Sequence, residues 1–483
     1  MGLTPDNHQP EAGGPAHDSW PRRVTALPQE MKNGGGLLWA RSLLILGLAL
    51  APFVFLVVPV IRYGVDLPYS DQWAFVWFLR RAYEGTLSLH DLWLPHNEHR
   101  MLFPRIVFLA LARLSGWNIS YELAANIVLA TGILAVLLHQ TRSTSSSLGA
   151  RGAGFLIPAL SLTVFSLKQA DNWLWGLQLS FFLNALAVVS GIIALAMPAF
   201  RWWRFLAAVF LGVVASYSTA NGLLYWFVAL PVLFALPRGR RNTKRLCRAI
   251  WLLAAAATIG SYLYDYHGSD AGAAVASILG HPLDHVTYVL CYLGNPVGPN
   301  HILATCLAGA LGLLALLVTG LLLVRSRHLT PGALAPYYSL ALYSLGSACL
   351  TSVGRASLGA LQAKVSRYVT MASPLWIAVL VLLYLLFRAS VLEARAQDAR
   401  RRGRRAVAGA ALAAFAAVVL AVGRSSVKAL PVFQDWHAKL APARAELLSG
   451  GYPELLRDPF PGVDLMAETA FLKEHRLSVF RDR

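Results

Sequence analysis

The stretch from Asp66 to Arg105 holds the residues best suited to chemistry. Its acidic and imidazole side chains are Asp66, Asp71, Glu84, Asp91, Glu98, His90, His96 and His99. Because it lies between two strongly apolar segments, we expect it at a membrane surface. Acids and imidazoles beside a water-filled cavity at such a surface can transfer protons. A plain connector between two membrane spans would be shorter and would not need these groups.

Asp71 is the first candidate for a catalytic residue. It follows the first apolar segment closely, and its carboxylate could take a proton from an acceptor hydroxyl as that oxygen attacks a sugar carbon. Asp71 also stands next to Ser70 at the start of a predicted helix, and Asp is a favoured N-cap residue. The sequence leaves both roles open, and one residue can fill both.

Residues 96–100 are five consecutive polar side chains, His-Asn-Glu-His-Arg. One interpretation is a divalent metal site, but the H-x-x-H spacing is a weak signal. We therefore assign no metal ligand and leave the cofactor open. A helix start capped by Asn97 is a second interpretation. We favour hydrogen bonding to a substrate by Glu98, His99 and Arg100.

A second cluster of polar and aromatic residues follows the third apolar segment. Its members are Lys168, Asp171, Asn172, Trp173, Trp175 and Gln178. Tryptophan can stack on a sugar ring, and amide side chains can hydrogen-bond to its hydroxyls, so we predict substrate contacts from Lys168, Asn172, Trp173 and Gln178. An aromatic belt at the membrane interface explains the same composition equally well.

A third cluster consists of Arg355, Lys364, Arg367 and Tyr368. It places three cations on the predicted outer side of the membrane with no acid among them, against the usual distribution of charge. An anion is therefore expected there. Arginine binds phosphate oxygens in a bidentate manner, so we predict that Arg355, Arg367 and Tyr368 contact a lipid phosphate. Contact with ordinary anionic headgroups is the alternative.

The composition places these clusters on a membrane protein. Of the 483 residues, 56% are hydrophobic and 14% are charged, whereas soluble domains carry roughly 25% charged residues. We predict an all-α polytopic membrane protein with about eleven transmembrane helices. The predicted spans are about 37–62, 122–139, 153–167, 179–198, 205–219, 222–237, 249–264, 302–324, 333–350, 370–388 and 406–422. The net charge of +18 lies mostly in short loops that set topology, so we expect membrane lipids, and no nucleic acid, as partners.

The distribution of basic residues predicts the orientation of the chain. Residues 1–36 are expected to form a disordered cytoplasmic tail, and residues 37–422 the transmembrane domain. Residues 423–483 would form a short tail on the outer face. The chain is thus expected to cross the membrane with its N-terminus in the cytoplasm and its C-terminus outside.

The first outer loop, 63–121, is predicted to hold two interfacial helices, at about 70–85 and 97–116. In an alternative topology the second helix crosses the membrane and the loop becomes cytoplasmic. The apolar part of that helix is short for a span, which favours the interfacial position.

The chain resembles the bacterial GT-C type glycosyltransferases, multispan enzymes that use a sugar carried on a polyprenyl phosphate. The resemblance rests on the long first outer loop with its early acid and on the segments DNWLWGLQLSF, STANGLLYW, GRASLGALQAKVSRY and FLKEHRLSVF. It implies a GT-C-like fold with Asp71 as the catalytic acid of the first loop. Gln72 stands where the family has a second acid, so Asp66 and Glu98 remain alternate bases. Basic contacts to the lipid phosphate would fall on Arg367 and Arg355.

The expected function is transfer of a sugar from a polyprenyl-phosphate donor to a cell-envelope glycan or lipid acceptor on the outer face of the membrane. The alternative is a transporter or flippase of a lipid-linked glycan precursor, which needs a cationic groove but no base. Transporters often carry polar residues at mid-span. Here the polar groups gather outside mostly apolar spans, which favours the enzyme.

Overall fold

The computed structural model describes residues 29–146, 148, 154–197, 199–235, 241–266, 271–326, 328–396, 401–456 and 461–481. The chain divides into two compact units, 1–44 and 45–483, and the described residues of the first unit are helical. The predicted disorder of residues 1–36 falls largely outside the described residues. About 83% of the structure is helical, so the expected all-α membrane protein is confirmed at this level.

The first helix, α1 (Gln29–Tyr63), leads into the first loop, which contains Asp71 and residues 96–100. The loop contains a 3₁₀-helix at Ser70–Phe75 and three helices: α2 (Val76–Tyr83), α3 (Leu89–Trp93) and α4 (Leu102–Ser115). A two-residue antiparallel hairpin, β1 (Pro95–His96) and β2 (His99–Arg100), separates α3 from α4.

The predicted helix from about 97 to 116 therefore begins five residues later than expected. Asn97 adopts a φ of 51°, a left-handed conformation that Asn tolerates better than most residues and that suits a turn. Gly116 ends α4 in the same left-handed region, at a φ of 62°.

The remaining helices form the bundle and the C-terminal region. Their bounds are α5 (Ile119–Ser146), α6 (Leu156–Val164), α7 (Ala170–Leu174), α8 (Leu179–Ala196), α9 (Trp202–Ser216), α10 (Tyr225–Val228), α11 (Leu230–Phe234), α12 (Arg241–Leu263), α13 (Ala271–Gly280), α14 (Pro282–Gly294), α15 (Ile302–Arg325), α16 (Pro331–Arg355), α17 (Val369–Ala396), α18 (Arg401–Val427), α19 (Leu430–Leu448) and α20 (Leu465–Glu474). The most deeply buried helix is α17, whose apolar residues from Met371 to Leu386 are almost fully covered.

Seven helical regions among the described residues are long and apolar enough to cross a membrane. They are Trp39–Tyr63, Ile119–Ser146, Gly176–Ala196, Arg241–Leu263, Ile302–Arg325, Ser366–Arg395 and Arg401–Leu448. Each overlaps one of the predicted spans. The other four predicted spans correspond to short helices or, for α16, to a helix rich in Tyr and Ser.

The C-terminal region packs on the first loop. Glu468 of α20 accepts a hydrogen bond from Arg80 at 2.9 Å, and Arg481 pairs with Asp66 at 2.8 Å. Asp66 also accepts the backbone N–H of Ile119 at 2.9 Å. Both carboxylate oxygens of Asp66 are thus engaged in holding the loop, which removes this residue as an alternate base.

Candidate functional site

A cavity of about 430 Å³ gathers described residues that are distant from one another in the sequence. It lies at the end of the bundle where α8 and α17 begin and where α9 and α16 end. The first loop, the segment before α8, the turn after α9 and the segment between α16 and α17 all contribute. The polar and aromatic lining residues are Asp71, His96, Asn97, Glu98, His99, Trp175, Gln178, Ser180, Phe181, Asn221, Tyr266, Tyr292, Thr351, Arg355, Arg367 and Tyr368.

Asp71 is held in the cavity by polar contacts on both carboxylate oxygens. Ser70 donates to Oδ1 at 3.0 Å, Asn97 donates to Oδ2 at 3.4 Å, and His96 Nε2 lies 3.8 Å from Oδ2. Burial opposes ionisation, but His96, Ser70 and the charge of Arg367 outweigh it and hold the pKa of Asp71 below its ordinary value. Asp71 is therefore an ionised carboxylate at neutral pH.

The N-cap role considered for Asp71 is not what the structure shows. Tyr69, in an extended conformation, occupies the N-cap position of the 3₁₀-helix, and Asp71 is its second residue. No helix N–H is bonded to the Asp71 carboxylate among its described contacts. Its side chain is directed to the cavity contacts instead.

Gln72, the neighbour of Asp71, does not line the cavity. It is 3% exposed, and its Nε2 donates to Glu122 Oε2 at 2.6 Å. Trp117 Nε1 donates to the other oxygen of Glu122 at 3.0 Å. Glu122, in the first turn of α5, thus anchors the segment that carries Asp71. It was not identified from sequence, because a glutamate in a first helical turn is common.

The hairpin turn presents Glu98 and His99 to the cavity. Glu98 pairs with Arg355 at 3.0 Å, which joins the first loop to the end of α16. His99 Nδ1 accepts the backbone N–H of Ala220 at 3.2 Å, so Nε2 carries the ring proton. Burial lowers the pKa of His99 to about 4, and the imidazole is neutral at pH 7.

Arg100 does not line the cavity, contrary to its predicted substrate contact. Its guanidinium is buried against the end of α12, where Nε donates to the carbonyl of Tyr262 at 2.7 Å and Nη2 donates to the carbonyl of Tyr264. Nη1 donates to the carbonyl of Trp93 at 3.1 Å. Arg100 therefore fixes the hairpin to the bundle, and we withdraw it as a substrate ligand.

The three cations of the third cluster are divided between different surroundings. Arg355 has an acid beside it, Glu98, so the expectation of a cluster without an acid is corrected. Arg367 lies over the ring of Tyr368, with its Cζ 5.5 Å from the ring centroid. Among the described residues, its guanidinium forms no ion pair or hydrogen bond. Lys364 lines a different cavity.

The residues of the second cluster also lie in different surroundings, some at the cavity and some in the buried interior. Gln178 lines the cavity while being 2% exposed, and its Oε1 accepts no hydrogen bond from any described residue. Asn172 is fully buried and donates to the carbonyl of Arg367 at 3.0 Å. Trp173 is fully buried, stacks on Phe182 and donates to the carbonyl of Ser166 at 2.9 Å.

Asn172 and Trp173 are therefore structural residues, and we withdraw their predicted contacts with a sugar. The hydrogen bond from Asn172 to the carbonyl of Arg367 helps to position the Arg367 backbone. Lys168 lines the same separate cavity as Lys364. The periodicity of the sequence could not reveal this, because these short helical turns lie between the regular spans.

Several cavity residues were not selected from sequence. Trp175 lines the cavity and donates to the carbonyl of Tyr69 at 3.1 Å. Asn221 belongs to the STANG turn, and Tyr266 follows α12. Their only sequence signal was an aromatic or amide side chain next to a turn. For metal binding, no group of three His, Cys, Asp or Glu side chains is arranged as ligands in the described ranges.

Comparison of the chain with protein-family models, with curated proteins and with solved structures finds no match.

Proposed function

We propose that the protein is a membrane glycosyltransferase that moves a sugar from a polyprenyl-phosphate donor to a hydroxyl of a glycan or lipid acceptor. One observation carries the proposal: an ionised carboxylate, Asp71, and an arginine that has no ion-pair partner among the described residues, Arg367, line the same cavity. This reaction needs a proton acceptor and a cation for the leaving phosphate, both in one site.

Asp71 serves as the general base. As the acceptor oxygen forms its bond to the anomeric carbon, its proton passes to the Asp71 carboxylate. The bond from the anomeric carbon to the phosphate oxygen breaks at the same time, and its electron pair stays on the phosphate. The configuration at the anomeric carbon is inverted, because attack and departure occur on opposite faces.

Arg367 binds the donor phosphate and stabilises the charge that grows on it. Arg355 already has Glu98 as its partner, so Arg367 supplies the larger share of free positive charge. Tyr368 supports the Arg367 guanidinium through its ring. The phosphate completes the coordination that Arg367 lacks among the described residues.

The sugar is held by groups that are already positioned. Gln178 Oε1 accepts from a sugar hydroxyl, since no described residue donates to it. His99 donates through Nε2 in its neutral form, and Trp175 offers an aromatic surface. A hydroxyl group on the substrate would thus meet hydrogen-bonding groups that are already positioned.

We further propose the eleven-span GT-C-like arrangement for the membrane domain. It adds α6, α9, the helices of 220–234 and α16 to the seven longer helices. The cavity lies at the opposite end of the bundle from Arg201, Arg241, Arg325 and Arg401, which mark helix ends expected in the cytoplasm. The cavity would then open on the outer face of a bacterial inner membrane.

The direct test is a transfer assay with the purified full-length protein. Donors are a panel of polyprenyl-phosphate sugars, and products are detected by mass spectrometry of the acceptor. A new glycosidic bond that requires Asp71 supports the proposal. Translocation of donor across liposome membranes without any new bond would instead establish the transporter.

A further inference from the structure

A second cavity, of about 770 Å³, is lined by residues that include the start of α7 and the first residue of the 3₁₀-turn 366–368. The two segments are joined where the backbone N–H of Asp171 donates to Ser366 Oγ at 3.0 Å. Arg367 faces the first cavity, whereas Ser366 and Asp171 line the second. The two cavities are therefore distinct sites.

Among the residues that the structure describes, four cations line this second cavity, against a single acid, Asp171. They are Lys168, Lys364, Arg424 and Lys428. Burial lowers the pKa of Lys168 and of Lys364, and the charge of Lys364 lowers the pKa of Lys168 further. Lys364 Nζ donates to the carbonyls of Pro299, at 3.0 Å, and Asn300.

Arg424 and Lys428 have exposed side chains that form no ion pair or side-chain hydrogen bond with any described residue. They lie one turn apart at the end of α18, where that helix gives way to α19. Four cations and one acid leave a surplus of positive charge, and like charges in one cavity repel each other. An anion in the cavity would relieve that repulsion.

An apolar part of the lining belongs to a candidate membrane helix. Ala417, Leu420 and Ala421 of α18 line the cavity together with Val432 of α19. Leu420 is 73% exposed, and the region Arg401–Leu448 is long and apolar enough to lie in a membrane. A cationic pocket at the end of an apolar groove matches a ligand with an anionic head and a hydrocarbon tail.

We propose that the second cavity binds the anionic phosphate headgroup of a membrane lipid, whose acyl chain lies along α18. The four cations contact the phosphate, and Leu420 and Val432 contact the chain. A free inorganic anion would use the cations and leave the apolar groove uncovered. The site does not depend on the chemistry assigned to the first cavity.

The test uses native mass spectrometry of the full-length protein in detergent, titrated with phosphatidylglycerol. The variant Arg424→Gln/Lys428→Gln should bind this lipid about thirtyfold more weakly, since each Lys or Arg near an anionic lipid contributes about fivefold. The double variant Lys439→Gln/Arg444→Gln removes two charges from α19 outside the cavity and should bind as the wild type does.

Three further arms complete the experiment. The variant Arg424→Lys/Lys428→Arg keeps the charges and should retain phosphatidylglycerol binding. The variant Lys168→Gln removes another cation of the cavity and should weaken binding, so it tests the proposal if Arg424→Gln/Lys428→Gln fails to fold. Phosphatidylcholine should bind more weakly than phosphatidylglycerol. Millimolar inorganic phosphate should not displace the lipid. Equal binding of phosphatidylglycerol by the Arg424→Gln/Lys428→Gln variant, or full displacement by inorganic phosphate, would overturn the proposal.

Discussion

At the scale of single residues, the proposed chemistry depends on keeping Asp71 ionised while it lies partly buried. Ser70, Asn97 and His96 surround its carboxylate, and none of them is an acid. A carboxylate that is hydrogen-bonded and close to positive charge stays ionised, yet it can still accept a proton from a hydroxyl that loses its own in the transition state.

Replacing Asp71 with Asn should abolish most of the transfer activity while leaving the fold intact. Loss of a general base typically costs about a hundredfold to ten-thousandfold in rate. Asp284→Asn is the matched control, since this acid is exposed and lies outside the cavity. Rates should be compared at saturating donor. An Asp71→Asn turnover within a few-fold of the wild type would exclude Asp71 as the base.

Replacing Arg367 with Lys should raise the donor KM and lower kcat, although the charge is kept. Lysine lacks the two-pronged geometry that guanidinium offers to phosphate, so we expect a loss of about tenfold or more in kcat/KM for the donor. Arg113→Lys, on the exposed end of α4, serves as the control. An effect confined to the acceptor KM would contradict the phosphate role.

The pH dependence of the reaction should report the surroundings of Asp71. Because its pKa is lowered, protonation should abolish activity only below the ordinary carboxyl range. Replacing His96 with Gln removes an interaction that lowers this pKa, so the acid limb of kcat/KM should move to higher pH. Profiles of the two proteins, measured from pH 3 upward, test this. An unchanged acid limb would argue against the contact.

At the scale of elements, two sets of buried polar contacts position the first loop, one at the hairpin and one beside Asp71. Arg100 fixes the hairpin to the end of α12, and Glu122 of α5 holds Gln72 next to Asp71. Gly176 lies against the second set of contacts: a Cβ at this position would come within 1.9 Å of Glu122 Oε2. The loop thus depends on a close approach that only glycine permits.

The substitution Gly176→Ala should therefore lower the thermal stability of the protein. Overpacking typically costs about 1–3 kcal/mol, and here it would also disturb the hydrogen bond from Gln72 to Glu122. Gly409→Ala is the control, because its position on α18 is exposed and has open space around it. Thermal unfolding in detergent measures both. Equal melting temperatures would show that these contacts tolerate a shift.

At the scale of the whole molecule, the two cavities and the basic helix ends lie at opposite ends of the helix bundle. Arg201, Arg241, Arg325 and Arg401 stand at one end, and both cavities lie at the other. Helix α4 has 14 residues, which is about 21 Å at 1.5 Å per residue and shorter than the hydrocarbon core of about 30 Å. This length favours the topology in which the first loop stays on one side.

Cysteine labelling in intact cells should show the two ends on opposite sides of the membrane. The background is Cys349→Ser, since the other three cysteines are buried. Glu84→Cys, exposed in the first loop, should react with an impermeant thiol reagent, whereas Arg402→Cys, exposed at the start of α18, should react only after permeabilisation. The reverse pattern would place the cavity in the cytoplasm.

The sequence by itself determined the membrane character, the location of the seven long apolar helices and the loop that carries Asp71. These follow from local composition and length, because a span must be apolar over about 20 residues. Only the tertiary structure decided which polar residues share a cavity. It paired Arg355 with Glu98, moved Lys168 and Lys364 to a second site and buried Arg100, Asn172 and Trp173. Such assignments depend on contacts between distant segments, which residue type and spacing do not specify.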